Sequence, residues 1–190
     1  MKKWLMALLA LAMCLLVGQR IYREGKMLSN SKTPAEAFRE MKKAAELGDK
    51  HAQYRLARCY DRGHMVERND SLAFQWYMKA AQQGSGKAMY QVGKCYRNGE
   101  GVTINPEFAF TWFCRAAMKD NANAQYALGR CYMKGEGVVA DQDRAGRWLR
   151  RAIQNPKGGA DIQYRIKKHA AEGNEDARNM IQLINSSSQL

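Results

Sequence analysis

Three segments of the chain, 52–84, 88–120 and 124–155, superimpose without a gap at a spacing of 36 residues. The offset aligns Cys59 with Cys95 and Cys131, Tyr60 with Tyr96 and Tyr132, Gly63 with Gly99 and Gly135, and Trp76 with Trp112 and Trp148. A period of this length marks one supersecondary unit repeated, each copy burying its apolar face only by stacking on its neighbours. The 190 residues are therefore expected to form an array with a shared core.

Each unit reads as two helices. Ala52, Leu56, Cys59 and Tyr60 recur at i, i+4, i+7 and i+8, one apolar stripe of an α-helix. Ala57, Gly93 and Gly129 keep a small residue beside that stripe, where a neighbouring helix can approach. Gly63, Gly99 and Gly135 stand where a left-handed C-terminal cap is needed. After a short loop anchored by Val66, Val102 or Val138, the second helix opens at Asn69, Asn105 and Asp141, with Pro106 in the first helical position. It then presents Ala73, Trp76 and Ala80 and their counterparts, and the tryptophans are expected in the core. With only three prolines and no run of β-branched residues, the chain does not read as an all-β sandwich or barrel.

The pattern A-x-x-x-[LV]-[GA]-x-C-Y-x-x-G-x-G-V followed by A-x-x-W-x-x-x-A-A resembles the Sel1-like repeat, a relative of the tetratricopeptide repeat, over about residues 35–155. The resemblance implies an all-α, right-handed α/α solenoid of antiparallel helix pairs that binds proteins on its inner face. The first unit departs from it: Gly63-His64-Met65 replaces Gly-Glu-Gly, so its loop is expected to differ in conformation. Thr33-Pro34 starts a half repeat over 34–48, giving an array of 34–155. Two further helices within 160–185 are expected to cap the stack, with a disordered tail at 186–190.

The first eighteen residues have the layout of a bacterial export signal: Lys2 and Lys3, then an uninterrupted apolar stretch from Trp4 to Val17. A cleaved signal, an uncleaved membrane anchor through residues 4–22, a lipoprotein signal at Leu11-Ala12-Met13-Cys14 and a buried cytosolic helix remain open. All but the last place the body outside the cytoplasm, in the periplasm or beyond. Residues 19–33 read as a linker.

The repeated cysteines share one helix position in successive units. Helix packing sets these roughly 9–10 Å apart, beyond the reach of a disulfide at about 7 Å, so they are read as small core residues. Cys114 is read as a free thiol. His51, His64 and His169 fall in unrelated contexts with no metal-ligand spacing. The Gly-Glu-Gly loops follow helices and lack a P-loop lysine, so capping accounts for them. No nucleophile, base and orienting group are brought together by any local signature. The expectation is a protein with no cofactor, no metal and no catalytic function.

The formal charge is +13, from 31 Lys and Arg against 18 Asp and Glu. Removing the first eighteen residues removes only two lysines, so the excess belongs to the body. At 100° per residue, His51, Arg55, Arg58 and Arg62 form one narrow row on the first helix of their unit. Lys87, Gln91, Lys94 and Asn98, then Asn123, Ala127, Arg130 and Lys134, correspond. Tyr54, Tyr90 and Tyr126 each precede a cation by four residues (Arg58, Lys94, Arg130), which sets a ring beside a charge. If the resembled geometry holds, this Tyr-plus-cation ladder lines the concave face. The expected partner is an acidic peptide or protein segment held by a scaffold of the cell envelope. A nucleic-acid or other polyanion binder is the alternative raised by the basic pI. A cell-wall-amide hydrolase is a second, by analogy with cysteine-rich members of the resembled family.

Overall fold

The computed structural model describes residues 33–186. The export segment 1–18, residues 19–32 of the linker and residues 187–190 of the tail lie outside the described residues. Among the described residues, 33–186, there are nine α-helices and no strand, and no helix is long and apolar enough to cross a membrane. The chain divides into two units, residues 1–40 and 41–190.

Helix α1, Pro34–Glu46, begins in the first unit. Its start is a reciprocal capping box: the Thr33 N–H donates to Glu36 Oε2 (2.9 Å) and the Glu36 N–H to Thr33 Oγ1 (3.2 Å). Pro34 occupies the first helical position, where its missing N–H leaves no bond unmade.

The second unit is an α/α solenoid of antiparallel pairs. These are α2 (Lys50–Arg62) with α3 (Asp70–Gln82), α4 (Gly86–Asn98) with α5 (Pro106–Met118), and α6 (Ala122–Lys134) with α7 (Gln142–Gln154). Helices α8 (Gly159–Ala171) and α9 (Glu175–Ser186) follow and pack on α7. The last helix runs through Ser186, one residue into the segment expected to be tail. Each helix of the three pairs is thirteen residues long, about 20 Å, so equal rods stack in register.

The caps are those the sequence specifies. Asn69, Asn105 and Asp141 each accept the backbone N–H three residues on, at 2.8 Å, which satisfies one orphan donor of the first turn. Gly63, Gly99 and Gly135 adopt left-handed φ of 66°, 77° and 73°. The first loop, however, does not differ from the others. Met65 takes φ 66° where Gly101 and Gly137 take 71° and 70°, and the Asn69, Asn105 and Asp141 N–H groups all return to the carbonyl of Tyr60, Tyr96 or Tyr132 at 2.9 Å. These loop hydrogen bonds impose one conformation, and Met65 accepts the strain with its side chain 49% exposed.

The core is built from the small residues of both helices together with Leu56, Val92, Leu128, Tyr77, Phe113 and Leu149. A Cβ on Gly93 would stand 2.6 Å from the Phe113 ring, and one on Gly129 would stand 2.7 Å from Leu149 Cγ. The small position is thus the seat of the large residue on the paired helix. The tryptophans correct the expectation. Trp76, Trp112 and Trp148 are half-buried at the edge of the core, each with a cation three residues on over its ring: Lys79 at 4.0 Å, Arg115 at 4.7 Å and Arg151 at 5.5 Å. One residue of helical rotation turns Tyr77, Phe113 and Leu149 fully inward and leaves the indoles at the rim.

Candidate functional site

The ladder tyrosines rest on the core of their own repeat. Tyr54 lies 5.8 Å from the Tyr77 ring and Tyr90 lies 5.9 Å from Phe113, contacts within the range of favourable aromatic pairs. In the third repeat Leu149 replaces the ring, and Tyr126 is covered instead by Arg165 of α8, 5.8 Å from its centroid. Arg165 also donates to Asn123 Oδ1 at 3.1 Å.

The ladder therefore has unequal rungs. Arg58 lies over Tyr54 at 6.0 Å, as the four-residue spacing predicts. At Tyr126 the cation comes from α8 and not from Arg130, and Lys134 is paired with Asp176 of α9. The first helix of the C-terminal cap has moved onto the third rung, a tertiary arrangement that helical spacing within one repeat does not reveal.

A cavity of about 470 Å³ opens beside the first two rungs. Tyr54, Arg58, Lys87, Tyr90 and Gln91 line it, as do residues 119–123, Gly86 and Lys157. Five of the residues singled out by the sequence are thus brought together. Arg55, Arg62, Lys94, Tyr126, Arg130 and Lys134 stand outside this lining.

Four cations line the cavity, Arg58, Lys87, Lys119 and Lys157, against one acid, Asp120. The Asp120 carboxylate is engaged from behind: its Oδ1 accepts from Gln125 Nε2 at 3.1 Å and from Asn155 Nδ2 at 3.0 Å. Among the described residues, none of the four cations has a carboxylate within ion-pair distance. Burial raises the Tyr54 hydroxyl above its ordinary value, with Arg58 and Arg62 opposing. Tyr54 thus stays a neutral O–H that can donate to an anion.

The residues missed from sequence lie at the turn between repeats. Asp120, with φ 57°, takes the place filled by Gly48 and Gly84 in the preceding turns, at φ 97° and 84°. The legible signal was a break in the 36-residue pattern, because Lys119 stands where Gln83 and Asn155 carry amides.

Cys59, Cys95 and Cys131 are buried free thiols, and Cys114 is a half-buried one. Burial, followed by the nearby Glu100, pushes the Cys95 thiol up to about 12; burial, followed by Glu136, pushes Cys131 up to about 11. They are poor nucleophiles at neutral pH. Among the described residues no group of His, Cys, Asp and Glu is disposed to hold a metal ion.

The Sel1 repeat family model matches residues 5–49, 50–85, 86–121 and 122–156. Among solved structures, the chain is similar to a Sel1 repeat protein from Oxalobacter formigenes, with 36% identity, 75% of this chain and 95% of that chain covered, and a TM-score of 0.57. It shares the fold of the Helicobacter pylori cysteine rich protein B, with 20% identity, 80% and 99% covered, and a TM-score of 0.51. No curated protein matches. Four consecutive repeat matches, a helix-pair unit with the same caps in each copy, and a homologous structure spanned almost end to end lead to one conclusion: the chain belongs to the Sel1 repeat family.

Proposed function

We propose that this protein is a non-enzymatic interaction scaffold of the bacterial cell envelope, and that the groove beside Tyr54 and Tyr90 takes an acidic peptide segment of a partner. Sel1 repeats generally mediate protein–protein interaction, which supplies the coarse reading. The finer one rests on a single observation: four cations and two half-buried tyrosines line one cavity whose sole carboxylate is already hydrogen-bonded. Rigid tyrosines supply contact area at little entropic cost, and Lys and Arg supply charge that steers and orients an acidic chain. The envelope location rests on the Met1–Gly18 segment, and membrane attachment through residues 4–22 belongs to the same reading.

Fluorescence anisotropy tests the groove. Binding of a labelled glutamate-rich peptide to the full-length protein should fall at least tenfold in Arg58→Glu/Lys87→Glu and weaken with salt. Unchanged affinity in that variant contradicts the reading. An oligonucleotide of equal charge that binds more tightly than the peptide favours a general polyanion binder. Cell fractionation tests the location, and a wholly cytosolic pool contradicts it.

A further inference from the structure

The second repeat lacks an internal clamp that both its neighbours possess. In the first repeat Gln83 Nε2 donates to Gln53 Oε1 at 2.8 Å and to the Gly48 carbonyl at 3.0 Å. In the third, Asn155 Nδ2 donates to Gln125 Oε1 at 3.0 Å and to the Asp120 carbonyl at 3.2 Å. The clamp thus joins the same positions in both copies, fastening the end of one helix pair to the turn before it. The second repeat carries Met89 and Lys119 there. Met89 is buried, and its thioether has no N–H to donate and is only a weak acceptor, so the amide pair cannot form.

A second change accompanies the first. A Cβ on Gly86 would stand 2.8 Å from Lys119 Cβ, so the lysine stem lies directly on the glycine at the start of α4. The first and third repeats carry Lys50 and Ala122 at that place. The lost amide, the gained ammonium and the missing side chain beneath it occur together in the second repeat, and both Gly86 and Lys119 line the cavity.

We infer that Lys119 is the specificity-determining residue of the groove: its ammonium pairs with a carboxylate side chain of the bound segment, at the place where the neighbouring repeats close on themselves. This inference rests on the acidic-segment reading and adds which cation selects the acid. Arg58 is already engaged with the Tyr54 ring. Lys119 sits on backbone that has no side chain to shield it, with no carboxylate in ion-pair range among the described residues. A charge-assisted contact in a partly enclosed groove is about twice as strong as a neutral hydrogen bond.

The test uses the full-length chain with two fluorescein-labelled probes, hexaglutamate and hexaglutamine, read by anisotropy at low and high salt. Lys119→Gln should weaken hexaglutamate about five- to tenfold while leaving hexaglutamine unchanged, and Lys119→Arg should restore most of the loss. Met89→Gln/Lys119→Gln should bind as weakly as the single variant yet melt at or above the wild-type temperature, since it rebuilds the clamp. That variant separates lost binding from lost folding. Lys167→Gln, on the exposed face of α8, should change affinity less than twofold. If the wild type does not distinguish the two probes, the acidic-groove reading fails and this inference with it. If the wild type distinguishes them and Arg58→Glu/Lys87→Glu abolishes the difference, yet Lys119→Gln stays within twofold or matches Lys167→Gln, the groove stands and the assignment of Lys119 is overturned.

Discussion

Gly137 and Pro106 meet backbone to backbone: a Cβ on Gly137 would stand 2.1 Å from the Pro106 carbonyl oxygen. The same joint links Gly101 to Asp70, at 2.2 Å. The second glycine of each Gly-Glu-Gly loop is therefore needed twice, for its positive φ and for the closeness of the preceding repeat. Gly101→Ala or Gly137→Ala should each cost about 3 kcal/mol or more, because backbone must move and no side chain can yield. Chemical denaturation gives the values.

Met65 carries the same φ with no glycine. A non-glycine residue there costs about 1–2 kcal/mol, and glycine itself costs roughly 0.5–1 kcal/mol in chain entropy. Met65→Gly should thus stabilise the protein by about 0.5–1 kcal/mol, opposite in sign to the glycine replacements.

How much of this the sequence disclosed depends on the range of the interactions involved. The period, the helix pairs and the caps at Asn69, Gly99 and Asp141 are set within a few residues, so local patterns reveal them. Met65 looks incompatible with a glycine's conformation, so the first loop reads as different in sequence, while the Asn69 N–H that donates to the Tyr60 carbonyl across the loop holds it in the shared conformation. The groove was half legible. Tyr54, Arg58, Lys87, Tyr90 and Gln91 follow from helical phase; Lys119 and Lys157 arrive from turns, and the capture of Tyr126 by Arg165 depends on how the C-terminal cap folds back.

Asn155 closes the third repeat by donating to Gln125 and Asp120. Asn155→Ala leaves Gln125, which is fully buried, short of a partner, and should destabilise by about 1–3 kcal/mol. Asn155→Gln should recover part of this, since Gln83 performs the same task in the first repeat. Thermal melts of the two variants provide the check.

The buried thiols set an alkaline limit. Cys95 and Cys131 hold their protons in the fold up to about 12 and about 11, above an ordinary value of 9.0. The folded state binds more protons than the unfolded between these values. The contribution is therefore fully present below pH 9 and is lost as pH rises toward 11 and 12. The melting temperature should fall progressively above pH 9, less steeply in Cys95→Ala/Cys131→Ala. In the native protein at pH 8, a thiol reagent should modify the half-buried Cys114 well before Cys59, Cys95 and Cys131.

An acidic segment is expected to occupy the space between α2 and α4. A photo-crosslinking benzoylphenylalanine placed at Gln91, in the groove lining, or at Thr111, exposed on α5 and absent from that lining, tests this. Each full-length variant is irradiated with the hexaglutamate probe or with hexaglutamine. An adduct should form from position 91 with hexaglutamate alone and be suppressed by Arg58→Glu/Lys87→Glu. Equal adducts from both positions, or equal labelling by both peptides, would overturn the acidic-groove reading.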